Sequence, residues 1–125
     1  MADKLLISFE IVNDAIHPDE ITRLTGIEPT DALLKGTRKP ELNLPRNNIW
    51  RVSSEFSTDE FETHWDFVRD RLHAGDLNAL KRSIGNGSAM FTIFFWADNR
   101  GPAFEIPKDM MEIALFLDAR IQIDS

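Results

Sequence analysis

The chain contains no cysteine. That absence removes disulfides, thiolate nucleophiles and cysteine-ligated zinc or iron–sulfur sites together, and it fits a reducing compartment. A long apolar run is missing too. Met1-Ala2-Asp3-Lys4 leads into a short apolar stretch that Ser8 and Glu10 interrupt, too short for a signal-peptide core or a membrane span. The expectation is a cytoplasmic protein with no membrane partner. Positive charge is scarce: 14 Lys and Arg face 21 Asp and Glu, for a formal net charge of −7. Such a field repels nucleic acid, and no basic stripe with interleaved aromatics offsets it. It suits a basic protein partner, or serves solubility alone. Signatures of a phosphate-binding loop, a nucleophile elbow and a zinc-protease helix are all lacking. Gly85-Asn86-Gly87 lacks the third glycine of a dinucleotide loop and precedes a strand, so it reads as a turn.

What is present is ordinary globular material: 125 residues, 42% hydrophobic and 28% charged, enough for one domain, 1–125, with a real core. Leu5, Ile7, Phe9 and Ile11 alternate with polar residues as in a half-buried strand. Pro18 then opens a helix at its first position, followed by Asp19 and Glu20 at the positive end of the helix dipole. His17 stands at the N-cap, with Glu20 able to reach back toward it. Ile16 and Ile21 are spaced as a hydrophobic staple, and Gly26 closes the helix.

Residues 28–48 form the longest irregular stretch, followed by a short strand, Ile49 to Ser53. A second helix is expected from Ser57, where Ser57 and Glu60 match a capping box. Phe61, Trp65, Val68 and Leu72 make its apolar stripe, with Asp59, Glu62, Asp66 and Asp70 opposite. Gly75 breaks it, and Leu77, Leu80 and Ile84 suggest a further short helical piece. Met90 to Ala97 is apolar on both faces, as in a covered central strand. Asp98 to Pro102 turns the chain, Phe104 to Ile106 suggests another short strand, and a helix from about Pro107 to Leu117 precedes an alternating end, Arg120 to Asp124.

The two ends thus repeat one plan: a strand, then a proline-started helix with an acid in its first turn. The fold expected is α+β: a two-layer sandwich with a mixed, largely antiparallel sheet of four to five strands and about three helices. It reads as a ferredoxin-like-related pseudo-duplicate of two strand–helix–strand halves.

Few residues point to chemistry. His64 and His73 lie nine positions apart on one helix and therefore on opposite faces, so they cannot share a metal; both read as solvated. Neither a metal nor any other cofactor is called for. Paired carboxylates for glycoside hydrolysis need a cleft that no spacing here supplies. The long loop gathers Lys35, Arg38, Lys39 and Arg46 in an otherwise acidic chain. With Thr30, Gly36 and the following Trp50, the residues Lys35, Arg38 and Arg46 make a candidate site for a small anion. The same charges also read as a solvated loop.

The run Glu20-Ile21-Thr22-Arg23-Leu24-Thr25-Gly26-Ile27-Glu28-Pro29-Thr30, then Lys35-Gly36, then Trp50-Arg51-Val52-Ser53-Ser54, resembles the bacterial domain-of-unknown-function family 4279. The resemblance spans nearly the whole chain. It implies a single small domain and brings no catalytic residue. Two functional classes follow. The first is a non-enzymatic protein-interaction or accessory domain, of the immunity type that occupies a partner. The alternative is a small-molecule or anion binder, or a weakly signalled enzyme, using the 28–48 loop. An acidic face beside exposed aromatics would favour the first; a deep pocket lined by Lys35, Arg38 or Trp50 would favour the second.

Overall fold

A computed structural model describes residues 4–55, 58–96 and 104–124. In chain order the elements are β1 (Lys4–Val12), α1 (Pro18–Thr25), β2 (Asp31–Leu33), a single 3₁₀ turn (Pro40–Leu42), β3 (Ile49–Ser53), α2 (Phe61–His73), α3 (Leu77–Ile84), β4 (Ser88–Trp96), α4 (Lys108–Leu117) and β5 (Arg120–Asp124). Among the described residues the strands form one open five-stranded sheet in the order β2-β3-β1-β4-β5. β1 sits at its centre, antiparallel to β3 and β4; β2 is antiparallel to β3; β5 runs parallel to β4. The result is a mixed, mostly antiparallel α+β fold with four helices among the described residues.

Alternation in β1 decides which face is covered. Leu5, Ile7, Phe9 and Ile11 are all buried, and their neighbours Trp50 and Val52 of β3 and Phe91 and Ile93 of β4 join them. Every described strand residue in the apolar core lies on this one face. The helices supply the other half of the core: Ile21 from α1, Trp65, Val68 and Leu72 from α2, Leu80 from α3, and Met110, Ile113 and Leu117 from α4. Burial of each large apolar side chain stabilises by about 1.5–3 kcal/mol. The aromatic centre is tightly interlocked, with Phe9 and Phe91 ring centroids 4.9 Å apart and Trp65 edge-on to Phe91 at 5.7 Å.

The opposite face is different. Leu6, Glu10, Met90 and Phe94 are only partly buried there, and a charged row runs across it. Arg51 of β3 donates to Asp31 of β2 at 3.0 Å and to Glu10 of β1 at 3.1 Å. β4, expected to be covered on both faces, is therefore covered on one. Its second apolar set, Met90 and Phe94, rests within the open face.

Several local signals act as read. His17 caps α1 through its Nδ1, which accepts from the Asp19 N–H at 3.0 Å, and Pro18 holds the first position. Gly26 closes the helix at φ 73°, in the left-handed region that glycine tolerates best. Glu20 does not turn back to His17; its carboxylate pairs with Arg23 one turn on, which holds the Glu20 carboxyl below its usual range through their hydrogen bond.

Other signals are displaced. α2 begins at Phe61 with Glu60 as N-cap, so the turn before it is not helical; Ser57 lies outside the described residues. Thr58 organises that turn instead, its Oγ1 accepting from the Glu60 N–H at 3.2 Å. Pro107 is the N-cap of α4 rather than its first residue, and 104–107 is irregular rather than a strand. The expected turn from Asp98 to Pro102 lies outside the described residues. The 28–48 stretch contains β2 and the 3₁₀ turn. β2 matters for topology. It lets the chain return as β3 antiparallel to β1, whereas α4 returns the chain as β5 parallel to β4. The two ends share an order of elements but differ in strand direction. Gly75 follows α2 for a reason its sequence position does not reveal: a Cβ there would strike the Ile27 side chain and the Thr25 carbonyl. The ends of α1 and α2 meet at this point, where Asp76 N–H donates to Thr25 O at 2.9 Å.

Candidate functional site

The loop residues do not converge. Trp50 is only 1% exposed on the helix-covered face, its Nε1 donating to Thr22 Oγ1 at 3.1 Å. Thr30 is built into the sheet margin: its N–H donates to Arg51 O at 2.8 Å, and its Oγ1 accepts from Ser53 N–H at 2.8 Å. Lys35 Nζ pairs with Asp14 at 3.5 Å, while its backbone N–H donates to Asn48 Oδ1 at 2.8 Å. Gly36, at φ 74°, shapes the turn and donates to Pro45 O at 2.9 Å. Arg38 and Arg46 are exposed, and among the described residues no carboxylate pairs with either. Lys35, Arg38 and Trp50 line neither of two described cavities, one of about 950 Å³ and one of about 440 Å³. Thr30 lines the smaller of them, beside Arg71.

The larger cavity lies elsewhere. It is an open groove of about 950 Å³ between the start of α2 and the segment leading into α4. Two helix N-termini meet there, which explains locally why acids collect: each helix start favours carboxylates through its dipole. Asp59, Glu60, Glu62, Asp66, Glu105 and Asp109 line it, against Arg69 and Lys108. Its apolar part is aromatic. Phe61 and Phe104 stack with centroids 4.9 Å apart and an interplanar angle of 12°, and both remain half-buried. Phe104 also meets Phe95 edge-on at 6.2 Å, so the groove wall is continuous with the core.

One polar cluster braces the groove. Trp65 Nε1 donates to Asp109 Oδ1 at 2.9 Å, joining α2 to the first turn of α4. Arg69 contacts Asp70 at 3.0 Å, Asp66 at 3.1 Å and Asp109 at 3.4 Å. The hydrogen bond to Asp70, ahead of the fields of Asp70 and Asp66, holds the Arg69 proton more tightly than usual. Arg69 thus satisfies three carboxylates, and the acids of the outer lip, Asp59, Glu62 and Glu105, form no described ion pair. This arrangement can receive cationic groups over an aromatic surface, the geometry that favours cation–π contact. Among the described residues it contains no nucleophile–base pair.

The buried pair that does look catalytic is structural. His64, expected to be solvated, is 0% exposed. Its Nε2 lies 2.7 Å from Thr58 O, an acceptor only, so in the neutral ring Nε2 carries the hydrogen. Its Nδ1, 2.6 Å from Ser54 Oγ, then accepts from that hydroxyl. Ser54 Oγ in turn accepts from Ile7 N–H at 2.9 Å, while Ser54 N–H donates to Ile7 O at 2.9 Å. β3 leaves β1 after Ser53, and the Ser54 hydroxyl supplies the acceptor the ladder no longer provides. A fully buried hydroxyl occupied in this way is closed to substrate. His73, on the other face of α2, is exposed, as the nine-residue spacing requires. Among the described residues no three His, Cys, Asp or Glu side chains are grouped to hold a metal ion, and no helix is long and apolar enough to cross a membrane.

The groove escaped sequence reasoning because its two walls are far apart in the chain: Trp65 and Asp109 are separated by 44 residues. The available signals were the acid in the first turn of α4 and the polar edge of Trp65 within an apolar stripe.

Comparison with known proteins agrees with the sequence pattern. The family described as Domain of unknown function (DUF4279) matches residues 3–125, and the chain belongs to it. No curated protein and no solved structure matches.

Proposed function

We propose that this chain is a non-enzymatic protein-interaction domain, an accessory protein of the immunity type that occupies a partner, and that it receives a basic segment of that partner in the α2/α4 groove. One observation carries this reading: the groove between the starts of α2 and α4 is lined both by acids and by a stacked aromatic pair, Phe61 and Phe104. Acidic residues alone are the wet side of many helices. Acids around half-buried aromatics favour lysine or arginine side chains, whose stems pack on rings while their charges meet carboxylates. The acidic chain as a whole would speed the encounter with such a partner. Its lack of cysteine suits the reducing interior of a cell.

The alternative, an anion held by the 28–48 loop, retains the exposed cations Arg38 and Arg46. It has less support, because Thr30, Lys35 and Trp50 already have intramolecular partners.

The test is calorimetric titration with an arginine- and aromatic-containing basic peptide at two salt concentrations, against wild type and Glu62→Lys. Salt-sensitive binding that Glu62→Lys weakens is the expected result. Binding indifferent to both salt and substitution would overturn the groove reading.

A further inference from the structure

β5 ends the sheet on the β4 side, and among the described residues nothing pairs with its outer edge. An uncovered edge of this kind is a template for another strand. Natural edges are commonly blunted by lysine, proline, a bulge or an inward-pointing charge. β5 carries no lysine or proline, and it leaves Ile123 52% exposed. Register places Ile123 beside Ile93, on the helix-covered face, where Ile121 packs against the core. Arg120, Gln122 and Asp124 face the open side, opposite Met90, Thr92 and Phe94.

The sequence of β5, Arg120-Ile121-Gln122-Ile123-Asp124, is self-complementary about its middle residue. Consider a second copy related by a two-fold axis through Gln122. Arg120 then faces Asp124 of the second copy, Ile121 faces Ile123, Gln122 faces Gln122, and both charged ends are matched. Opposite charges and apolar pairs directly across an antiparallel ladder stabilise it. Other alignments lose these pairs. A parallel arrangement sets Arg120 beside Arg120 and Asp124 beside Asp124. A two-residue slip sets Arg120 against Gln122, and a one-residue slip moves every side chain to the other face. A two-fold interface of this sort is self-complementary by symmetry.

We propose that β5 is a homodimerisation edge: two copies of this chain join by antiparallel β5–β5 pairing in the Gln122-centred register, making one continuous sheet. The contact is small, so the dimer is concentration-dependent. The α2/α4 groove is not part of this edge, and the proposal does not depend on what that groove receives.

Sedimentation equilibrium of the full chain over a range of concentrations tests it. Wild type should dimerise with concentration, less so at high salt. Arg120→Asp places acid against acid at both ends and should weaken the dimer by at least about tenfold. Asp124→Arg should do the same. The double variant Arg120→Asp/Asp124→Arg exchanges the two charges and should restore dimerisation. Where a reversal disturbs the monomer, seen in its far-ultraviolet circular dichroism, Gln122→Lys reads the same edge by setting lysine against lysine at the axis, and it should also dissociate the dimer. A wild type that stays monomeric at the highest concentration reached would overturn the proposal. So would a dimer that single reversals leave unchanged, or one the double exchange fails to restore.

Discussion

The basic 28–48 loop and the acidic α2/α4 groove carry opposite charge and are built in opposite ways. In the loop, the side chains that looked available mostly hold the fold: Lys35 is tied to Asp14, Thr30 extends the sheet, and Trp50 is in the core. In the groove, the interior polar groups are satisfied by one another through Arg69, Trp65 and Asp109, while the outer acids and two aromatic rings remain accessible. The contrast shows that local charge density is a weak guide to a site. A surface is free for a ligand only when the fold's own hydrogen bonds are completed elsewhere.

The comparison can be broken most severely at Trp65, where groove and core are one object. Trp65→Ala should cost about 3–5 kcal/mol in a denaturant melt, as for other large core truncations, whereas Lys35→Ala in the loop should stay within about 0.5 kcal/mol. Equal losses would mean that the loop, not the groove wall, braces the domain. Ser54→Ala should come next, costing about 1–3 kcal/mol, because it takes the hydroxyl acceptor from the Ile7 N–H in a buried place. A melt indistinguishable from wild type would show that water replaces the hydroxyl there. Glu62→Lys should leave stability within about 0.5 kcal/mol while weakening a basic peptide by about tenfold, because it reverses a charge on the groove's lip. A loss of stability matching the loss of binding would assign Glu62 to the fold instead. The smallest effect belongs to a pair outside both regions. Arg23 holds the Glu20 carboxyl below its ordinary range. The pair's contribution is therefore present above the unfolded carboxylate value and fades as pH falls through the folded one. Titration of the Glu20 carboxyl by NMR should show its midpoint rise in Arg23→Ala.

The strands and helices of this chain were largely legible, because their signals are local: the alternation of β1, the proline and glycine that bound α1, the apolar stripe of α2. What could not be read depends on contacts distant in sequence. His64 falls next to Trp65 at a position suited to either face, and only the departure of β3 from β1 after Ser53 supplies the partners that bury it. β2 carries just three residues, fewer than periodicity can register, yet it sets the direction of β3. Gly75 reads as a helix breaker, though its conformation is not left-handed and the close approach of Ile27 is what excludes a side chain. The groove was invisible for the same reason, since it exists only once the start of α2 meets the start of α4.

The proposed function places binding in the acidic groove and not in the basic loop. Amide and indole NMR spectra of the full chain, recorded during parallel titrations with a basic peptide and with inorganic phosphate, decide between the two regions. The peptide should shift the Trp65 indole and the amides of Phe61, Glu62 and Asp109, and phosphate should leave Lys35, Gly36, Arg38 and Arg46 unmoved. Saturable phosphate shifts in the loop, with a silent groove, would contradict it.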